Sequence, residues 1–311
     1  MPRTKMHITQ PPSKNRRSRP YTQNVVPAVD VCFAHWENKN MQTGREHRRT
    51  AMAIGAHPDD IEFMMGGTLV LLKQAGFEVH YLNVASGSCG TTTHSVSRIR
   101  SIRRSESMAA AGVLGAIYHA SLVDDLEIFY EPSLLARLAA VVREVNPSIL
   151  LVPSPQDYME DHTNTCRLAV TAAFARGMPN FRTVPSRRAV EGKITIYHAM
   201  PHGLRDPLRK RIVPGLFVNT TPVQTIKRQA LAMHRSQQDW LDQSQGINRY
   251  LETMETFARE LGKLSGCFEF AEGWRRHLHY GFCDENDDPL LEALGNNCIV
   301  NERYERELEI T

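Results

Sequence analysis

No apolar run in this sequence approaches the roughly 18 residues that cross a bilayer, so no membrane span is expected. The first residues are basic but lack the apolar stretch of a secretory signal. Six cysteines (Cys32, Cys89, Cys166, Cys267, Cys283 and Cys298) have no C-x-x-C or C-x-x-x-C spacing. That argues against a disulfide framework or a structural zinc knuckle and favours reduced thiols in a cytoplasmic protein. No G-x-G-x-x-G follows the first apolar segment, which speaks against dinucleotide binding. The nucleophile elbow G-x-S-x-G of a serine hydrolase is also missing, and there is no internal repeat.

The net charge of +3 conceals an asymmetry. Residues 1–49 carry 10 Lys and Arg against 3 Asp and Glu, and the rest carries 27 against 31. A mildly acidic body argues against nucleic acid as its main partner. Residues 1–48, including Arg16-Arg17-Ser18-Arg19-Pro20, show no apolar period and read as a basic, disordered extension. Residues 49–283 are long enough for one large α/β domain. Residues 284–311 hold nine acids against two arginines and read as an acidic tail.

From Thr50 onward strand and helix patterns alternate. Strands are expected over 51–56, 78–85, 116–119, 148–153 and 193–198, and helices over 66–75, 97–114, 132–145 and 161–176. This spacing predicts an α/β fold, a Rossmann-like and mostly parallel sheet with helices on both faces. A helical C-terminal region follows, with long helices over 222–243 and 248–264.

The first strand ends in Ala56-His57-Pro58-Asp59-Asp60. One imidazole and two carboxylates stand at the carboxyl end of a parallel strand, where open α/β sheets place their ligands. His57 and Asp60, three apart in a tight turn, can converge on one ion. The fourth strand leads into Asp157-Tyr158-Met159-Glu160-Asp161-His162 at the same sheet edge, and His162 supplies a third ligand. Two histidines and a carboxylate with open positions compose a catalytic zinc site, and equally a ferrous one. Asp59, left unligated, is in place to deprotonate water as a general base. Asp161 beside His162 reads either as a carboxylate orienting that imidazole or as a helix cap.

These residues resemble the LmbE-like, or PIG-L, family of metal-dependent N-deacetylases. The resemblance covers roughly residues 50–280. It rests on Ala56–Asp60, Gly66-Gly67-Thr68-Leu69, Ser86–Thr91, Arg103–Glu106, Asp157–His162, Lys227–Gln237 and Ala271–Arg275. It implies a Rossmann-like fold with Zn2+, or Fe2+ or another divalent ion, on His57, Asp60 and His162, and Asp59 as the base. It also implies Asp124 as a contact to sugar hydroxyls, with Asp157 as a further substrate contact. Arg103 has two readings, a sugar hydroxyl or phosphate contact and a solvated helix face. The family usually carries His-Pro-Asp-His where this chain has Met159-Glu160-Asp161-His162. Methionine neither protonates an amine nor stabilises an oxyanion as that first histidine does. His202, His234 or a metal-bound water are the candidates to replace it. Ser86 and Ser88 stand where many members carry Asp and Glu.

The expected function is removal of the N-acetyl group from an amino sugar or sugar conjugate. The expected partner is that small molecule, and a homo-oligomer is compatible with the reading. The rival is a non-catalytic sugar- or nucleotide-binding protein of the same fold.

Overall fold

The computed structural model describes residues 49–245 and 249–309. The basic extension expected over 1–48 lies outside them. The elements in chain order are β1 (Thr50–Gly55), α1 (Asp60–Met64), α2 (Gly66–Gln74), β2 (Glu78–Asn83), α3 (Val96–Leu114) and β3 (Ile117–His119). Then come α4 (Pro132–Val145), β4 (Ile149–Val152), α5 (Glu160–Ala175), β5 (Thr195–Ala199), β6 (Leu216–Asn219), α6 (Gln224–Leu231), α7 (Arg235–Gln245) and α8 (Tyr250–Ser265). The chain continues through β7 (Ala271–Arg276), α9 (Pro289–Leu294), β8 (Cys298–Val300) and α10 (Glu302–Glu309).

One sheet has the order β3-β2-β1-β4-β5-β7-β6-β8. The first five strands are parallel, and β7, β6 and β8 extend the sheet by antiparallel pairing. This is the Rossmann-like arrangement expected from the alternating pattern. The strand order reverses between β1 and β4, so their carboxyl ends flank a crevice.

The period of two along each strand builds both cores. Ala51 and Ala53 of β1, with Ile149 and Leu151 of β4, face a cluster containing Leu69, Leu72 and Leu114. Met52 and Ile54, with Leu150 and Val152, face the other side, against Leu138 and Val142 of α4 and Leu168 of α5. Both faces are covered, so β1 and β4 are apolar without alternation. Helix ends follow local chemistry. Ser95 Oγ accepts from the Arg98 N–H at the start of α3, and Gly115 closes that helix at φ +69°.

A buried polar cluster ties the antiparallel half to α2. Glu272 of β7 accepts from Lys227 Nζ at 2.6 Å and from the N–H groups of Gly67 at 2.8 Å and Thr68 at 2.7 Å. Trp274 Nε1 donates to Thr68 Oγ1 at 3.0 Å. Glu272 thus neutralises Lys227 and caps the positive end of α2. Only glycine suits position 67, because a Cβ there would lie 2.5 Å from Thr220 Cγ2.

Two expectations need correction. The helix expected over 222–243 is a short 3-10 turn followed by α6 and α7, interrupted at 232–234. The break lets His234 turn into the core, where Glu62 binds it. The acidic segment 284–311 is not a tail along its described length. Leu290 and Leu294 of α9 are buried, and β8 pairs with β6 as the edge strand. Its nine acids mask a short apolar pattern that the sheet edge recruits.

Candidate active site

The crevice between β1 and β4 is filled by the two segments that leave them. Gly55 ends β1, and a Cβ there would lie 2.7 Å from Asn83 Oδ1 and 3.1 Å from Asp60 Cβ. Glycine therefore lets the following turn fold tightly back over the strand. In that turn the Ala56 and His57 N–H groups donate to Asp60 Oδ2 at 2.9 and 2.8 Å. Asp60 is thereby fixed at the first position of α1. Asp59 is forced to φ +109°, a left-handed backbone that is sterically disfavoured for a residue with a Cβ. Strain of about 1–3 kcal/mol is typical of such residues at functional sites.

His57, Asp60 and His162 each offer a ligand atom, and the three atoms lie within 4.8 Å of one another. His57 Nε2 is 2.9 Å from Asp161 Oδ2, and His162 Nδ1 is 3.0 Å from Asp157 Oδ1. Each imidazole therefore has one nitrogen engaged by a carboxylate, leaving His57 Nδ1 and His162 Nε2 toward Asp60, at 3.8 and 3.4 Å. Carboxylate-held imidazoles are the usual surroundings of a metal-binding histidine. The donor set and this support both fit a divalent ion.

The electrostatics agree. Burial alone disfavours charge on His57, but its bond to Asp161 and the charge of Asp60 prevail and raise its pKa. Burial likewise opposes charge on His162, and Asp60 and Asp157 outweigh it, raising the pKa well above the ordinary value. Asp60 is held far below the usual carboxylate range, because the two histidines overcome the effect of burial. The pocket stabilises positive charge at its centre.

Asp59 behaves differently. Burial pushes its carboxyl up to about 6, with Asp60 adding to the rise and Arg103, His234 and Tyr250 opposing it. Tyr250 donates its hydroxyl proton to Asp59 Oδ2 at 2.5 Å. A carboxyl poised near 6 is a competent proton acceptor around neutrality.

A cleft of about 500 Å³ opens over these groups. Its wall includes His57, Asp59, Asp60, Met159 and His162, together with Tyr158, His202, Trp240 and Tyr250. This volume lies within the range of small-molecule sites. His202 faces the edges of the Phe63 and Phe257 rings, with centroids 5.2 and 5.0 Å away. Burial there lowers its pKa.

Several expected roles differ in the structure. Asp161 orients His57, not its neighbour His162, because the first turn of α5 aims adjacent side chains in different directions. Asp157, expected at substrate, engages His162 instead. Asp124 accepts from Ser86 Oγ and Arg100 and does not line the cleft, whereas Asp125 does. Arg103 is 1% exposed, and its Nη2 donates to the Pro58 carbonyl at 2.7 Å. Its Nε and Nη1 are buried without a hydrogen bond, so it holds the His57–Asp60 turn, contributes to the cleft wall and acts on Asp59 through charge. His234 is fully buried, with Nε2 3.1 Å from Glu62 Oε1, and stays outside the cleft wall. Tyr250 escaped the reading of the sequence; a tyrosine opening a helix carries no local signal for a partner 191 residues away.

Residues 52–173 match the family described as PIG-L, GlcNAc-PI de-N-acetylase. The diacetylchitobiose deacetylase of Thermococcus kodakarensis is 30% identical over 234 residues, 73% of this chain and 82% of that protein. A 4-oxalmesaconate hydratase of Pseudomonas putida is 26% identical over 206 residues, 64% of this chain and 78% of that one. Among solved structures, an inhibitor complex of the N,N′-diacetylchitobiose deacetylase from Pyrococcus horikoshii superposes with a TM-score of 0.61 at 26% identity, covering 74% of this chain and 84% of that one. A divided His-Asp-His cluster at the β1–β4 crevice and a deacetylase relative matched over most of its length together make this chain a member of the PIG-L (LmbE-like) family.

Proposed function

We propose that the protein is a metal-dependent amidase that removes acetyl from an N-acetylated amino sugar or small sugar conjugate. The observation that carries this reading is the division of labour within residues 57–60. His57 and Asp60 converge with His162, while Asp59 between them is turned out of that set and bonded to Tyr250. His57, Asp60 and His162 would hold the ion, and zinc and ferrous iron both suit such donors. An ion held there supplies Lewis acidity, lowering the pKa of water toward about 7 and polarising an amide carbonyl.

The chain's own groups do the rest. Asp161 and Asp157 keep His57 and His162 in one tautomer and orientation. Asp59 takes the proton of the attacking water as the C–O bond forms. When the C–N bond breaks, the amine needs a proton, and Asp59 is the group that has just acquired one. His202 lines the same cleft, but burial lowers its pKa and disfavours its protonated form, making it a poorer donor. Acetate and a free amine result.

Kinship with a hydratase raises a second reading, addition of water to a carbon–carbon double bond. An oxalmesaconate is a polyanion. With Asp60 committed to the ion, the cleft wall keeps Asp59 and Asp125, and the one arginine it offers an anion, Arg103, is buried. A neutral amide suits that wall better.

Acetate release from N-acetylglucosamine, N,N′-diacetylchitobiose and related conjugates by metal-loaded protein tests the proposal. Release that disappears in Asp59→Asn supports it. No release from any of them, or equal release by the variant, sinks it.

A further inference from the structure

Tyr250 is 3% exposed and packs edge-on against Phe63, with ring centroids 5.2 Å apart. Both rings line the cleft. The hydroxyl lies 2.5 Å from Asp59 Oδ2, at the short end for a hydroxyl donating to a carboxylate. Among the described residues no other hydrogen bond reaches that carboxylate. Arg103 is charged and near but donates to the Pro58 carbonyl instead. An aspartate side chain has two rotatable bonds, and no second hydrogen bond holds that of Asp59. Tyr250 is thus what fixes the orientation of the carboxylate.

Orientation matters more here than in a site with two proton-transfer groups. Met159 lines the cleft and cannot exchange a proton, so Asp59 has to accept one and return it. We infer that Tyr250 is a positioning residue for this transfer: it clamps Oδ2 of Asp59 and leaves Oδ1 as the oxygen that exchanges a proton with the contents of the cleft. The inference rests on the reading of Asp59 as the base.

The test compares metal-loaded wild type with Tyr250→Phe, which keeps the ring and its packing and deletes only the hydroxyl. Acetate release from N,N′-diacetylchitobiose is expected to lose about 10- to 100-fold in kcat, the size of one charge-assisted hydrogen bond, with KM and bound metal unchanged. A second readout needs no turnover. In protein labelled with 13Cζ-tyrosine, the resonance that vanishes in Tyr250→Phe belongs to Tyr250, and it is expected to move in Asp59→Asn. A kcat equal to wild type with only a lower melting temperature overturns the inference, as does a rise in KM at constant kcat, which marks a substrate contact. An unmoved resonance overturns it whatever the kinetics. A wild type without turnover sinks the proposed function instead, and the resonance then decides the contact separately.

Discussion

Glu272 and Asp59 are both carboxylates withdrawn from water, at 1% and 7% exposure, yet their surroundings differ in kind. Glu272 receives an ammonium and two backbone N–H groups, spread over both oxygens, and lines none of the clefts described above. Asp59 receives one hydroxyl, has an unbonded guanidinium edge behind it, sits on a strained backbone and opens on a cleft. Burial does not separate them; saturation does. A buried charge whose hydrogen-bonding capacity is filled holds elements together. One left with a spare oxygen facing a cleft can exchange a proton.

The contrast can be broken from either side. The largest effect is expected from removing the ion: chelation should abolish acetate release, and adding back a divalent metal should restore it, as followed by a coupled acetate assay. Asp59→Asn should follow, lowering kcat by about 10²- to 10⁴-fold, the usual worth of a general base, with a melting temperature no lower than wild type. Removing a buried charge offsets the weakening of its bond from Tyr250. Lys227→Met should do the reverse. Removing one partner of a buried ion pair is expected to cost about 3–5 kcal/mol in urea unfolding, with kcat per folded molecule unchanged. Smaller still, Asp161→Asn should weaken metal affinity by about 10- to 100-fold, measured by competition with a chelator.

A further prediction vanishes at neutral pH. His198 of β5 is buried between the Pro153 carbonyl, 3.2 Å away, and His277, 2.9 Å away, and burial lowers its pKa from 6.5 to about 4. Folded His198 resists a proton that the unfolded chain accepts below about 6.5. Its contribution is therefore complete above pH 6.5 and is lost as the pH falls toward 4. In His198→Gln the acid side of the stability curve should be flatter.

Much of this was legible in the sequence, because local rules governed it. The parallel strands and their helices follow from apolar period and caps; the strand ends then bring 57–60 and 157–162 to one edge. Roles that depend on side-chain aim were not legible. Asp161 and Asp157 lie four residues apart, and which imidazole each engages is decided by the loop before α5 and the first turn of that helix. Asp124 and Asp125 are adjacent, and Arg100 on α3 decides that only the second lines the cleft. His234 and Tyr250 meet Glu62 and Asp59 across 172 and 191 residues, distances over which periodicity carries no information. β8 was hidden because three residues of strand need an existing edge to pair with.

His57, Asp60 and His162 are proposed to hold one divalent ion. Metal content per chain, measured by elemental analysis after loading and gel filtration, tests it most directly in wild type and His162→Ala. One equivalent is expected in wild type, with most of it lost in the variant and the fold retained. Equal content in both proteins, or none in wild type, would contradict it.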